Sequence, residues 1–101
     1  MKTYMVDIDE TICYTPELEG RRDYENSVPY YSRIAAINSL YEDGNIIRYW
    51  TARGSSSGID WTDFTTKQLT RWGCKFHSCS CGKPSYDVWI DDKAINDKDF
   101  F

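Results

Sequence analysis

The sequence predicts a single α/β domain, residues 1–101, with helices on both faces of a central parallel sheet in three layers. Two observations predict this class. Short β-rich runs alternate with segments whose apolar residues recur at helical spacing, and each β-rich run ends in polar or acidic residues. Strands that alternate with helices form parallel sheets with right-handed crossovers, and ligands gather at the carboxyl ends of the strands. We therefore expect the functional residues at that edge of the sheet.

The length and the net charge of the chain exclude several classes of function. A chain of 101 residues fits one domain and leaves no room for a second. Sixteen acidic residues against twelve basic ones give a net charge of −4, which makes nucleic acid an unlikely partner. The N-terminal apolar run is too short for a signal peptide, and no run approaches the roughly 18 apolar residues of a membrane span. We expect a cytoplasmic protein without a membrane partner.

The first half of the chain predicts a strand, a loop, a helix and a second strand. Thr3–Ile8 is a short apolar run followed by acids, and the polar residues 13–28 predict a loop. Apolar residues at helical spacing predict a helix over Pro29–Asp43, with Gly44 as its C-terminal stop. Asn45–Trp50 is β-rich and predicts the second strand.

The second half repeats the pattern. Asp60 can cap a helix that runs to Trp72 and is ended by Gly73. Cys74–Ser78 predicts a third strand, and Tyr86–Ile90, which is followed by two acids, predicts a fourth. The remainder, up to residue 101, holds at most one turn of helix.

Acidic, hydroxyl and basic side chains meet at one predicted edge of this Rossmann-like sheet. Asp7 and Asp9 follow the first strand, Thr51 and Arg53 the second, and Lys83 lies beside a proline turn. A further acidic pair, Asp91 and Asp92, follows the fourth strand. Acids clustered in this way repel one another unless a cation neutralises them, and oxygen ligands favour Mg²⁺, which bridges readily to phosphate. The sequence therefore predicts a magnesium site that binds a phosphoryl group.

These residues resemble the four ordered motifs of the haloacid dehalogenase (HAD) superfamily. The matching segments are Asp7-Ile8-Asp9-Glu10-Thr11, Thr51-Ala52-Arg53-Gly54, Lys83-Pro84 and Ile90-Asp91-Asp92. They span nearly the whole chain. The short length and the Gly-Lys-Pro-x-x-Asp-x-x-Ile-Asp-Asp ending resemble the small capless phosphatases found with capsule and lipopolysaccharide biosynthesis genes.

The resemblance implies a role for each matched residue. Asp7 would be the nucleophile that forms an aspartyl-phosphate, and Asp9 the general acid and base. Thr51 would hydrogen-bond the phosphoryl oxygens, and Lys83 would offset the charge of Asp7 and the phosphate. The metal, Mg²⁺, would be bound by Asp7, the backbone carbonyl of Asp9, and one of the two acids Asp91 and Asp92, with Asp92 favoured as the direct ligand.

The remaining matched positions surround the substrate. The substrate-contacting residues implied by the resemblance are Ile8, Ala52, Arg53 and Glu10. Glu10 stands where many relatives have Gly, and it either contacts the substrate or faces solvent, the second being the commoner fate of a charged loop residue. Arg21 and Arg22 either bind a second anionic group of the substrate or form an ordinary solvated charge run.

The spacing between motifs leaves no room for a folded cap, so we expect an open site in a capless HAD-like phosphatase. Water exclusion by a second subunit would make the protein a homo-oligomer. The expected substrate is a small phosphorylated sugar or polyol of surface-polysaccharide synthesis. The alternatives are a phosphatase of nucleotides or nucleic-acid ends, and a phosphate-binding protein without turnover.

The cysteines have a second interpretation. Cys74, Cys79, Cys81 and His77 lie close together in sequence, but their spacing is not that of a zinc knuckle. Reduced thiols near a strand end are the favoured interpretation, and zinc ligands the alternative.

Overall fold

The computed structural model describes residues 1–101 and contains three α-helices, one 3₁₀ turn (Tyr24–Asn26) and seven short strands. The strands and helices, in chain order, are β1 (Thr3–Val6), β2 (Cys13–Tyr14), β3 (Glu17–Leu18), β4 (Arg21–Arg22), β5 (Val28–Pro29), α1 (Tyr31–Glu42), β6 (Ile46–Trp50), α2 (Thr62–Arg71), β7 (Ser78–Ser80) and α3 (Asp97–Phe100).

The main sheet is parallel, in the order β1-β6-β7. Thr3 lies opposite Ile46 in the first strand pair, and Arg48 lies opposite Ser78 in the second. With helices connecting its strands, the sheet confirms the predicted α/β class. None of the helices has the length and hydropathy that crossing a membrane demands.

The helices α1 and α2 cover one face of the sheet. Because the strand order advances in one direction, right-handed crossovers carry both helices to the same side. The core between sheet and helices includes Ile47 and Tyr49 of β6, Ile37 of α1 and Leu69 of α2. On the other face Met5 is 57% exposed. The single chain therefore has two layers, and the three-layer arrangement that we predicted is wrong for it.

The helices α1 and α2 and the strands β1 and β6 lie close to where the sequence predicts them. Helix α1 ends before Gly44, whose φ of +92° is the left-handed conformation that commonly ends a helix. Asp60 accepts a hydrogen bond from the backbone N–H of Thr62 at 2.9 Å, at the start of α2. Apolar periodicity and local capping chemistry were sufficient to predict these elements.

The third strand begins later than predicted. Cys74 and Lys75 leave α2 in irregular backbone, and the Lys75 N–H donates to Asn38 Oδ1 at 2.8 Å. Pairing with β6 starts only at His77, whose N–H donates to the Ile47 carbonyl at 2.8 Å. The observed strand is Ser78–Ser80, so the predicted range Cys74–Ser78 is wrong by several residues.

The predicted fourth strand, Tyr86–Ile90, does not pair with the sheet, and that prediction is wrong for the single chain. Lys83 is held at the carboxyl edge of the sheet, because its N–H donates to the Thr51 carbonyl at 3.0 Å. The segment that follows packs beside the end of β6, where the ring centre of Trp89 lies 6.1 Å from that of Trp50 and 5.0 Å from that of Tyr86.

The predicted loop over residues 13–28 contains short antiparallel pairs. The strands β2 and β5 pair at its base, and β3 and β4 form a hairpin at its tip. We call residues 14–28 the flap, because they lie beside the carboxyl end of β1.

Candidate active site

Three of the four predicted motifs meet at the carboxyl edge of the sheet. They surround a cleft of about 680 Å³, a volume typical of small-molecule sites. Among the residues that line it are Asp7, Asp9, Thr51, Ala52, Lys83 and Tyr86. The backbone bond from Lys83 to Thr51 is what brings the third motif to the second.

Asp7 presents its carboxylate to the cleft. Its side chain is 37% exposed, and Oδ1 lies 3.8 Å from the Lys83 ammonium. Thr11 donates its hydroxyl hydrogen to Oδ2 at 3.3 Å. Burial raises the pKa of Asp7 above its ordinary value, and Lys83 opposes that shift without cancelling it. Asp7 is thus an accessible carboxylate with one oxygen beside a cation.

The carboxylate of Asp9 lies deeper than that of Asp7, and both of its oxygens accept hydrogen bonds. Arg53 donates from Nε to Oδ2 at 3.0 Å and from Nη2 to Oδ1 at 2.9 Å, a bidentate pair. Thr15 donates to Oδ1 at 2.5 Å. Burial alone would raise the pKa of Asp9, but the hydrogen bonds and charge of Arg53 outweigh it and keep the pKa below its ordinary value. The arrangement holds Asp9 ionised.

Arg53 supports Asp9 and does not face the substrate as we expected. The residue is only 1% exposed, and its guanidinium also donates from Nη1 to Gln68 Oε1 at 2.8 Å and to Thr65 Oγ1 at 3.2 Å. Its carbon Cζ stacks 4.5 Å from the ring centre of Tyr24. Every polar group of Arg53 is directed at the protein, so it is a positioning residue.

Thr51 and its neighbours form a tight turn after β6. Thr51 is buried, and its Oγ1 accepts from the Arg53 N–H at 3.2 Å. Gly54 follows with φ +82°, and a Cβ there would lie 2.1 Å from the Ile59 carbonyl oxygen. Only glycine fits at this position. Ala52 is half-buried and lines the cleft, as predicted for a substrate contact.

Ile8 and Glu10 occupy different environments. The Ile8 side chain is fully buried in the core, so only its backbone can contact a substrate. Glu10 adopts φ +61°, a left-handed conformation uncommon for a residue with a side chain. Its carboxylate forms an ion pair with Arg22 on the flap. Arg22 is therefore paired within the chain, while Arg21 lies exposed in β4.

The fourth motif does not reach the cleft. Asp91 is exposed, and its oxygens accept from the Lys93 N–H at 2.8 Å and the Trp89 indole N–H at 3.3 Å. Asp92 is exposed beside it. The chain brings together no group of three or more His, Cys, Asp or Glu side chains that could hold a metal ion. The structure does not bring Asp91 and Asp92 together with Asp7 and Asp9.

The sequence interpretation missed three residues of the site. Thr15 from the flap and Gln68 from α2 complete the shell of Asp9 and Arg53, and Tyr24 stacks on the guanidinium. Gln68 is 1% exposed, which is unusual for an amide side chain. A signal existed, because Gln68 lies four residues after Phe64 and four before Trp72 and so shares a helix face with both aromatic residues.

The cysteines and His77 make contacts that stabilise the fold. All four cysteines are free thiols, and burial raises the pKa of Cys74 to about 11. His77 Nδ1 accepts from the Ile47 N–H at 3.0 Å, and its ring packs 4.7 Å from that of Tyr41. The histidine therefore helps to pair β7 with β6.

No protein-family model and no curated protein matches the chain. A crystal structure of a target protein from Vibrio cholerae superposes with a TM-score of 0.82 at 24% sequence identity, over 99% of this chain and 87% of that one. The chain therefore has the fold of that Vibrio cholerae protein.

Proposed function

We propose that the protein is a Mg²⁺-dependent phosphomonoester hydrolase with a capless HAD-like fold, acting through an aspartyl-phosphate. The observation that supports this most is the pairing at the cleft of an accessible carboxylate, Asp7, with a cation, Lys83, 3.8 Å away. A carboxylate nucleophile beside a cation suits attack on an anionic phosphoryl group, because the cation offsets the repulsion between them.

Two displacements follow from this arrangement. An oxygen of Asp7 attacks phosphorus, the bond from phosphorus to the leaving oxygen breaks, and the alcohol departs with a proton. Water then attacks phosphorus, the bond to Asp7 breaks, and inorganic phosphate and free carboxylate result. Lys83 stabilises the negative charge in both steps, and the turn at Thr51 provides donors for the phosphoryl oxygens.

Asp9 is suited to the second displacement as it stands. An ionised carboxylate accepts the proton of the attacking water, and Arg53 and Thr15 hold Asp9 ionised. Protonating the leaving alcohol in the first step requires a proton on Asp9, and the same protonated carboxyl forms when Asp9 takes the proton of the attacking water in the second step. Oδ2 accepts a hydrogen bond only from Arg53 Nε and so keeps one lone pair for that proton.

Of the expected Mg²⁺ ligands, Asp7 and Asp9 line the cleft, whereas Asp91 and Asp92 lie outside it. The expected ligand atom of Asp9 is its backbone carbonyl, so the bonds of its carboxylate to Arg53 do not compete with the metal. Mg²⁺ prefers octahedral oxygen ligation with at least one or two carboxylates and the substrate phosphate.

The proposed substrate is a small phosphorylated sugar or polyol. The residues that line the cleft are largely polar and include the hydroxyl side chains of Ser56 and Ser85. Polar donors and acceptors of this kind match the hydroxyl groups of a sugar or polyol.

The test is turnover of p-nitrophenyl phosphate with Mg²⁺, followed by a panel of sugar, polyol and nucleotide phosphates. We expect turnover by the wild type, loss in Asp7→Asn, and unchanged turnover in Glu17→Gln, which changes an exposed acid of the flap hairpin. Trapping of labelled phosphate on Asp7 identifies the intermediate. No turnover of any phosphoester in the panel contradicts the proposal.

A further inference from the structure

The ammonium group of Lys83 lies among three aromatic rings. Its Nζ is 5.2 Å from the ring centre of Tyr86, 5.5 Å from that of Trp89 and 5.9 Å from that of Trp50. All three distances fall within the roughly 6 Å at which the face of an aromatic ring attracts a cation. The Lys83 side chain is only 12% exposed, which is unusual for a lysine. We call Trp50, Tyr86 and Trp89 the aromatic cage.

The three rings of the aromatic cage also contact one another. The Trp89 ring meets that of Trp50 at an interplanar angle of 88° and that of Tyr86 at 60°. Edge-to-face contacts of this kind are favourable for aromatic pairs. The Trp89 indole N–H donates to Asp91 Oδ2 at 3.3 Å, which adds a polar contact to the ring that touches both others. Trp89 is therefore the central member of the aromatic cage.

Two parts of the chain build the aromatic cage at the carboxyl edge of the sheet. Trp50 is the last residue of β6, whereas Tyr86 and Trp89 follow Lys83 in the segment that we predicted to be a fourth strand. The backbone bond from Lys83 to Thr51, at 3.0 Å, joins the two parts. The aromatic residues of the segment thus lie against β6 beside the cleft.

The Lys83 ammonium keeps hydrogen-bond donors for a ligand. Its ion-pair partner, Asp7 Oδ1, is 3.8 Å away, beyond hydrogen-bond length. Aromatic faces attract the charge without the lone pairs that a conventional acceptor provides, and an ammonium carries three donors. A lysine held by rings is therefore fixed in position while its N–H groups remain available to an anion in the cleft.

A lysine side chain does not hold a position by itself. Its stem of four carbons is flexible, and ordering such a side chain when a ligand binds lowers the affinity for that ligand. Rings that hold the ammonium before the ligand arrives remove this cost. We infer that Trp50, Tyr86 and Trp89 are positioning residues that hold the Lys83 ammonium ready for a phosphoryl group, a ligand whose identity rests on the proposed function.

The first experiment locates the Lys83 side chain by NMR. Aromatic rings shift the protons above their faces upfield, so we expect the ε-methylene signal of Lys83 upfield of that of the exposed Lys67. Lys83→Met assigns the signal by removing it. In Trp89→Leu the signal moves toward that of Lys67, and Trp89→Phe, which keeps a ring, gives a position between the two. A wild-type Lys83 signal that coincides with that of Lys67 overturns the cage.

The second experiment measures the affinity for inorganic phosphate by NMR titration with Mg²⁺ present, which detects weak as well as tight binding. We expect Trp89→Leu to weaken binding about two- to tenfold, the range for ordering one long side chain. The matched control is Phe101→Leu, which removes a ring 4.8 Å from the Arg33 guanidinium, outside the cleft, and leaves the affinity unchanged. Circular dichroism verifies the fold of each variant. Unchanged affinity in Trp89→Leu contradicts the positioning role.

A double-mutant cycle distinguishes positioning of Lys83 from general packing. In a Lys83→Met background, Trp89→Leu has no further effect on phosphate affinity, because the group that the ring positions is absent. A loss of the same size in both backgrounds overturns the inference, since Trp89 would then act through the fold alone.

Turnover separates this inference from the proposed function. A wild type that hydrolyses no phosphoester, but whose phosphate affinity depends on Trp89 only when Lys83 is present, keeps the positioning role and contradicts the proposed hydrolase. An active wild type whose phosphate affinity is the same in Trp89→Leu keeps the hydrolase and overturns the positioning role.

Discussion

Arg53 and Asp9 form a buried bidentate ion pair, with Nε to Oδ2 at 3.0 Å and Nη2 to Oδ1 at 2.9 Å. The Arg53 side chain has no exposed surface, and that of Asp9 is 15% exposed. Removing one partner of such a pair leaves the other charge buried without compensation.

Replacement of Arg53 by Met therefore destabilises the protein strongly. We expect a loss of about 3–5 kcal/mol in the free energy of unfolding, measured by urea denaturation. The control is Lys67→Met, which breaks the exposed pair between Lys67 and Asp63 and changes stability by less than about 0.5 kcal/mol. Similar losses in the two variants would contradict the buried character of the pair.

Replacement of Asp7 by Asn stabilises the protein at neutral pH. Folding raises the pKa of Asp7, so the protonated form is favoured in the folded state and the ionised form disfavours folding. That disadvantage is fully present above the folded pKa and disappears as the pH falls below the ordinary value of 3.8. We expect a higher melting temperature for Asp7→Asn at pH 7, and no difference near pH 3. Glu17→Gln is the control with no difference at either pH. A lower melting temperature for Asp7→Asn at pH 7 would show the sign to be wrong.

Gly54 and Gly44 form a matched pair for substitution by alanine. Both have positive φ, +82° and +92°, but a Cβ on Gly44 meets no atom within 4 Å, whereas one on Gly54 meets the Ile59 carbonyl at 2.1 Å. We expect Gly44→Ala to lower stability by about 1–2 kcal/mol through backbone strain alone. Gly54→Ala should lower it further and reduce turnover, because the turn that holds Thr51 must shift. Equal effects on both stability and turnover would argue against this close approach.

The role of Asp9 is tested by the leaving group. p-Nitrophenolate departs without a proton, whereas an alkoxide requires one. If Asp9 acts as acid, Asp9→Asn lowers the rate of aspartyl-phosphate formation much more for glycerol phosphate than for p-nitrophenyl phosphate, by tenfold or more. Rapid-quench measurement of the first displacement gives both rates. Arg53→Lys, which keeps the charge but not the bidentate geometry, is the companion variant. Equal losses on the two substrates would restrict Asp9 to the base role.

The parts of the fold that were predicted correctly depend on local sequence. The spacing of Ile34 and Ile37 and the stop at Gly44 define α1, and the polar residues after Trp50 mark the end of β6. The prediction of a fourth strand failed because residue composition favours a strand but does not determine what the segment packs against. Trp89 packs against Trp50 and Tyr86 beside the end of β6.

In the candidate site too, some residues were predicted from the sequence and others were missed. Asp7, Thr51 and Lys83 were predicted because motif order along the chain corresponds to position along one edge of a sheet. The inward direction of Arg53 was missed, because it depends on Gln68 and Thr65 of α2, which lie in no motif. A motif does not show which side chains of another helix contact its residues.

Gln68 has a consequence for how this cleft accommodates ligands. Its amide oxygen accepts from Arg53 at 2.8 Å, and its amide nitrogen donates to the Tyr24 carbonyl of the flap at 2.7 Å. One side chain of α2 therefore sets both the orientation of Asp9, through Arg53, and the position of the flap. The flap forms one wall of the cleft and is linked to Asp9 through Arg53 and this single amide. A ligand too large for that wall would therefore displace the Asp9 carboxylate as it entered.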